Sequence, residues 1–377
     1  MTNTKTESVT YPYRYDVVGS LLRPQALKQA RARLAKGLID ADELAAIQHD
    51  ETKRVVNEEL NLGLKAVTDG EFNRSWWHLD FLWGLNGVGH YDYHQSYKFH
   101  GSKTRTDNAD LVGKIAYNPD HPFFATFSYL QTLVPAGIAV KQTIPSPTML
   151  FRDNRSDNWH QFYETWDAYL DDLAQAYHQT IQHFYDLGCR YLQLDDTTWA
   201  FLISQLNATA DQPDQHAKYV KLAQDAVRVI NQVLAGLPDD LTVTTHVCRG
   251  NFKSTYLFSG SYDDIADYLG QLHYDGLFLE YDSDRAGDFT PLKRIWNHDT
   301  HKRIVLGLIT SKFPELENPD DIKARIKQAS EFVPLENLAL STQCGFASTE
   351  EGNQLTEDQQ WAKLKLVKQI ATDVWGK

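Results

Sequence analysis

The chain has 377 residues, of which 42% are hydrophobic, 12% aromatic and 23% charged. Such a composition supports a large packed core and excludes a disordered or fibrous chain. With 37 basic against 50 acidic residues the formal charge is −13, which argues against a nucleic-acid partner, whose phosphates need Lys and Arg.

Only three cysteines occur, Cys189, Cys248 and Cys344. They make no disulfide framework, and they fit a reducing compartment in which cysteines act as ligands, nucleophiles or core filler. The opening MTNTKTESVTYPYRYD contains no apolar run of the signal-peptide kind, and no stretch is apolar enough for a membrane span. The expectation is a cytoplasmic protein with no membrane partner, and residues 1–12 are expected to form a flexible tail.

In chain order, β-type runs fall at 15–20, 65–71, 137–145, 190–196, 241–249, 276–282, 303–311 and 337–345. Most are followed by a helical segment. Asp40 with Glu43 has the spacing of a capping box, opening a helix that runs to Leu62 and stops at Gly63. Residues 158–187 carry apolar side chains at helical spacing, and Gly188 closes that helix. Ser261 is expected to cap a helix through Leu272, and Pro319 with Asp320 to open another. Alternating strands and helices imply a parallel sheet. Eight such units over residues 1–377 imply a single (β/α)8 TIM barrel. The alternative, an open doubly wound sheet, lacks a G-x-G-x-x-G turn. Residues 72–132 break the rhythm and are rich in aromatic residues, His and Gly. They read as an insertion after the second strand, containing a hairpin and covering the barrel mouth.

His246 and Cys248 stand two apart on a predicted strand, so their side chains share a face. Glu280 ends the apolar run Gly-Leu-Phe-Leu, where a buried carboxylate needs a partner. Cys344 ends the last strand at the same level. Zinc accepts such a mixed N, S, O and S set, and the C-terminal strand ends of a barrel hold its chemistry. The competing reading is that Cys344 fills core and Glu280 pairs with Arg285. A site with two thiolates and a carboxylate suits activation of a bound thiol rather than of water. Cys189 lies before the fourth strand, at the opposite end, and reads as structural.

These residues resemble the catalytic C-terminal barrel of cobalamin-independent methionine synthase. The resemblance runs through DVVGSLLRP, AVTDGEFNR, YLQLDD, THVC, LEYDSDR and STQCG, in the family's order. It implies a single-barrel relative without the family's amino-terminal barrel. It implies transfer of a methyl group from 5-methyltetrahydrofolate, as the polyglutamate, to the zinc-bound thiolate of homocysteine, giving methionine. The family's zinc ligands fall on His246, Cys248, Glu280 and Cys344. Its homocysteine contacts fall on Val18, Gly19 and Ser20, on Glu71, and on Asp195. Glu71 and Asp195 suit an ammonium, and the Gly19–Ser20 turn offers donors to a carboxylate.

Two stretches depart from the family. Its histidine after the seventh strand, thought to protonate the leaving folate nitrogen, is replaced here by Ile309 or Thr310 in VLGLITSK. Asp196 or a histidine on the insertion is then the candidate acid, although Asp196 should face away from Asp195. The family's tryptophan after the third strand is missing from IPSPTMLFRD. Trp76 and Trp77 could offer the donor a stacking face, or could pack the insertion. Two other functions stay open: zinc-dependent alkylation of another thiol, as in coenzyme M transferases, and a non-catalytic zinc- or amino-acid-binding protein. The two carboxylates Glu71 and Asp195 oppose a sulfonate thiol.

Overall fold

The computed structural model describes residues 12–99 and 101–376. Among them, seven parallel strands form one curled sheet in sequential order. They are β1 (Ala66–Val67), β2 (Ala139–Pro145), β3 (Tyr191–Asp196), β4 (Thr242–Val247), β5 (Gly276–Glu280), β6 (Arg303–Ile309) and β7 (Leu338–Thr342). The fold is the α/β barrel the sequence implies, with one irregular stave.

That stave is the stretch 15–20, expected to be a regular strand. Tyr15 makes a lone parallel bridge to Leu340, and Asp16 N donates to Leu340 O at 3.2 Å. On its other side Leu21 N donates to Gly70 O at 3.1 Å, just past β1. The segment thus spans the gap between β7 and β1 without a ladder. Its own side chains explain this: the Asp16 carboxylate accepts from Tyr13 N at 3.3 Å and Val17 N at 2.7 Å, local bonds that compete with strand pairing. The tail expected at 1–12 lies outside the described residues except for Pro12, whose carbonyl accepts from Arg303.

Strand alternation sorts the side chains. On β3, Leu192 and Leu194 join the large core beneath the helices, while Tyr191, Gln193 and Asp195 face the barrel interior. Inside, Val18, Phe278, Val305 and Ala339 pack together. Beside them Lys141 pairs with Asp16 at 3.2 Å, and the Tyr191 hydroxyl donates to the same carboxylate at 2.6 Å. The buried charges are therefore matched.

Helix Ala41–Leu62 has both halves of its Asp40–Glu43 capping box, and Gly63 ends it at φ +80°. Helix Trp166–Asp186 starts later than its apolar spacing suggests, because Thr165 caps Ala168 N and Trp159–Gln161 form a separate 3-10 turn. It buries Leu170, Leu173, Tyr177, Ile181 and Phe184 on one face, each contributing about 1.5–3 kcal/mol. The Ser261 helix is a correction. Ser261 Oγ accepts from Asp263 N at 3.2 Å in a local turn, and only Ala266–Gly270 is helical. Pro319–Ala329 opens as expected, capped by Asn318. No helix among the described residues is long and apolar enough to cross a membrane.

The excursion after β1 holds an antiparallel hairpin, Asn86–Asp92 with Asp107–Ala116, and a smaller one, Lys98–Phe99 with Ser102–Lys103. Its last part, Pro122–Leu133, is a helix packed on β2 and between helices Ala41–Leu62 and Trp166–Asp186. That is the place of a barrel helix. The dense apolar start PFFATF blurs its helical period, so the sequence reads it as part of the insertion.

Candidate metal centre and substrate site

β4 carries His246, and Cys248 follows one residue past its end. In register, His246 lies between Asp195 of β3 and Phe278 of β5. Glu280, two residues beyond Phe278, therefore reaches the level of Cys248. Cys344 arrives differently. The chain bends at Gln343 and Cys344 just after β7, and Thr342 Oγ1 holds the bend by donating to Cys344 O at 2.7 Å. Gly345 lets this bend approach the first segment, since a Cβ there would run into Ser20 Oγ.

One donor atom from each of His246, Cys248, Glu280 and Cys344 lies within 4.8 Å of the others. The two sulfurs are 3.7 Å apart. Two thiolates bound tetrahedrally at about 2.3 Å would sit about 3.8 Å apart. All four side chains are buried. Neither ring nitrogen of His246 has a hydrogen-bond partner, nor has Glu280 Oε2, whereas buried polar atoms are ordinarily satisfied. Glu280 Oε1 accepts from Arg249 N at 2.7 Å. Arg285 stands 3.8 Å from Oε2 but pairs more closely with Asp282, at 2.7 Å. The donor set, its spacing and its orphaned atoms fit zinc.

The two thiols divide one proton. The hydrogen bond from Cys248, with the neighbouring His246 ring and the charge of Lys312 adding, holds Cys344 well below the usual thiol range against the effect of burial. The same bond and burial push Cys248 up. Metal binding to such a pair releases that proton. Cys189 differs: its Sγ donates to Tyr191 O at 3.3 Å, and burial pushes it up to about 12.

Asp195 lies inside the barrel beside this centre. Gln193 Nε2 donates to its Oδ1 at 2.7 Å, and burial raises its carboxyl to about 7, with Glu71 adding to the rise. Glu71 sits in the left-handed region at φ +62°. Its Oε1 takes Arg74 Nη1 at 3.2 Å and the Thr143 hydroxyl at 3.0 Å. Its Oε2 has no hydrogen bond, and Arg23 is 4.0 Å away. The carbonyls of Val18, Gly19 and Ser20 are taken by Gln193, Thr68 and Phe346, which fixes that turn at the rim. Asp196 is turned outward. Its oxygens accept from Thr198 N at 2.7 Å and Thr148 Oγ1 at 2.9 Å, so it does not face the centre.

A cavity opens over Cys248, walled by Trp77, His78, Tyr97, Arg152 and Arg155 from one side and Phe252 from the other. Trp76 also reaches it but is 3% exposed. Its Nε1 donates to Asp107 at 3.2 Å and Arg105 covers its ring, which ties it to the hairpin. Trp77 is half-buried at the wall.

The sequence matches the family model for the catalytic domain of cobalamin-independent synthase over residues 15–372. The chain belongs to the cobalamin-independent methionine synthase family. It is 48% identical to the uncharacterized protein YxjH of Bacillus subtilis, over 97% of this chain and 95% of that one. A Listeria monocytogenes structure assigned to the vitamin-B12 independent methionine synthases aligns with a TM-score of 0.77 at 37% identity, covering 98% of this chain and 100% of that one. The B12-independent methionine synthase from Shewanella sp. W3-18-1, solved with selenomethionine, shares the fold at a TM-score of 0.68 and 18% identity, over 95% and 96% of the two chains. Membership in the methionine synthase family indicates methyl-transfer chemistry.

Sequence reasoning missed Lys312, whose buried ammonium lies 4.0 Å from Glu280 Oε2. Its one signal was its place just after β6. It also missed Arg155, which stands with His78 and Tyr97 in the cavity wall and bonds both of them as well as Asp153.

Proposed function

We propose that this protein is a zinc-dependent methyltransferase that moves a methyl group to the thiol of homocysteine, giving methionine. The observation that carries the reading is the convergence of His246, Cys248, Glu280 and Cys344 with unsatisfied donor atoms. These four side chains would hold the ion. When bound there, zinc would keep the substrate thiol deprotonated and nucleophilic at neutral pH.

The chain's own residues do the rest. Asp195 and the free oxygen of Glu71 receive the ammonium of the amino acid. The Val18-Gly19-Ser20 turn receives its carboxylate, with the Ser20 hydroxyl as a donor. Arg249 N fixes one oxygen of Glu280 so that the other points to the metal position. The cavity over Cys248 receives the methyl donor, a reduced folate on the family's precedent, with Trp77 offering an aromatic face. The ammonium-directed carboxylates oppose alkylation of a sulfonate thiol.

The test is methionine formation by zinc-loaded protein from homocysteine and a panel of folate, S-methyl and cobalamin donors. Turnover with at least one donor, lost on chelation and regained with zinc, is expected. Failure with every donor would refute the reading. Calorimetry with homocysteine and with a thiol lacking the amino group would show which acceptor is favoured.

A further inference from the structure

The proposed reaction leaves one role unassigned. An amine methyl carrier departs poorly unless its leaving nitrogen gains a hydrogen bond or proton. β6 ends without a histidine, and Asp196 faces outward. We infer that His78, on the excursion over the barrel mouth, donates a hydrogen bond through Nδ1 to the leaving nitrogen of the methyl donor. This inference rests on the methyl-transfer reading above.

His78 walls the cavity that opens over Cys248. It is 4% exposed, and its Nδ1 has no hydrogen-bond partner. The neighbouring arginine decides where its proton sits. Arg155 Nη2 lies 3.2 Å from His78 Nε2. A guanidinium only donates, so Nε2 must accept and Nδ1 must carry the hydrogen. Arg155 is itself held by Tyr97 Oη at 2.5 Å, Asp153 Oδ2 at 2.9 Å and Asn108 Oδ1 at 3.0 Å. The tautomer is thus set by a buried network. The ring is also fixed in space, with Trp77 at 4.6 Å and Trp76 edge-on at 5.9 Å.

A buried N–H without an acceptor costs free energy, and a ligand atom would satisfy it. Burial, with Arg155 and Arg152 adding, holds His78 well below the ordinary imidazole range. It is therefore neutral, and it acts as a fixed donor rather than as a charged acid.

The same wall selects the donor's charge. Arg152 and Arg155 share one carboxylate, that of Asp153, at 3.0 and 2.9 Å, so the pair keeps a surplus positive charge, and Arg152 Nε is buried without a partner. A cationic sulfonium donor would meet that surplus positive charge. A neutral or anionic N-methyl carrier with a flat apolar body would meet Trp77, Tyr97 and Phe252. In the step, the homocysteine sulfur bonds to the methyl carbon as the carbon–nitrogen bond breaks. The nitrogen keeps the electron pair, holds the Nδ1 hydrogen bond, and gains a proton from water. The thiol has already lost one to water, so protons balance.

The experiment compares His78→Ala and His78→Asn with wild type in zinc-loaded protein. Two methyl sources are used: the best N-methyl donor of the panel, and methyl iodide, whose leaving iodide needs no hydrogen bond. His78→Ala should slow the amine donor by about a hundredfold or more, with methyl iodide alkylation, zinc content and homocysteine affinity retained. His78→Asn, which keeps an N–H near the Nδ1 position, should recover part of the loss. Nitrogen-15 NMR of the wild-type imidazoles should show His78 protonated at Nδ1. Equal slowing with both methyl sources, no slowing with the amine, a proton on Nε2, or turnover of sulfonium donors alone would overturn the inference. If wild type fails even with methyl iodide, the methyl-transfer reading has failed instead.

Discussion

Cys248 Sγ lies 3.7 Å from Cys344 Sγ, across 96 positions of sequence. Nothing in the fold requires two thiols to meet in the barrel mouth beside an unsatisfied His246 and Glu280. A shared metal would account for it. Replacing either cysteine by serine is expected to weaken zinc binding on the order of a hundredfold or more. Elemental analysis after dialysis should then find little zinc, with the circular dichroism of the barrel retained. Full zinc content in both variants would contradict the assignment.

Asp195→Asn removes the charge offered to the substrate ammonium while keeping the shape. Homocysteine affinity should fall by about ten- to hundredfold, the worth of a charged hydrogen bond of about 1.5–3 kcal/mol. Titration calorimetry of zinc-loaded protein measures it. A thiol without an amino group should bind both proteins alike. Equal losses for both thiols would place Asp195 in the metal site rather than the substrate site.

Acid stability should depend on His121, which caps the helix Pro122–Leu133. Its Nδ1 caps Phe123 N at 3.2 Å, and its Nε2 donates to Phe81 O at 2.9 Å. Burial lowers its pKa to about 4. The unfolded chain therefore binds the proton first, and folding is destabilised as pH falls from about 6.5 to about 4, by at most about 3 kcal/mol. Urea unfolding of wild type and His121→Asn across this range should show a shallower pH slope in the variant. Identical slopes would refute the role.

Cys189 should be inert in the native protein, since burial raises its thiol to about 12 and the thiolate is the reactive form. Mass spectrometry after iodoacetamide should find it unmodified until urea is added. Rapid native labelling would contradict its structural role.

Much of the metal centre was legible because strand parity is local. His246 and Cys248 share a face by spacing alone, and Glu280 is marked by the apolar run before it. The Asp40–Glu43 box and Gly63 were legible for the same reason. The irregular 15–20 stave was not, because the Asp16 side-chain bonds that break its ladder cannot be read from an apolar pattern. Cys344 reaches the site through a bend rather than alternation. His78 acquires meaning only from Arg155, 77 positions away.

Zinc K-edge X-ray absorption of the zinc-loaded protein tests the central claim most directly. The account predicts two sulfur, one nitrogen and one oxygen scatterers from Cys248, Cys344, His246 and Glu280, with an added sulfur when homocysteine is supplied. A shell of nitrogen and oxygen alone, or a sulfur count unchanged at saturating homocysteine, would contradict it.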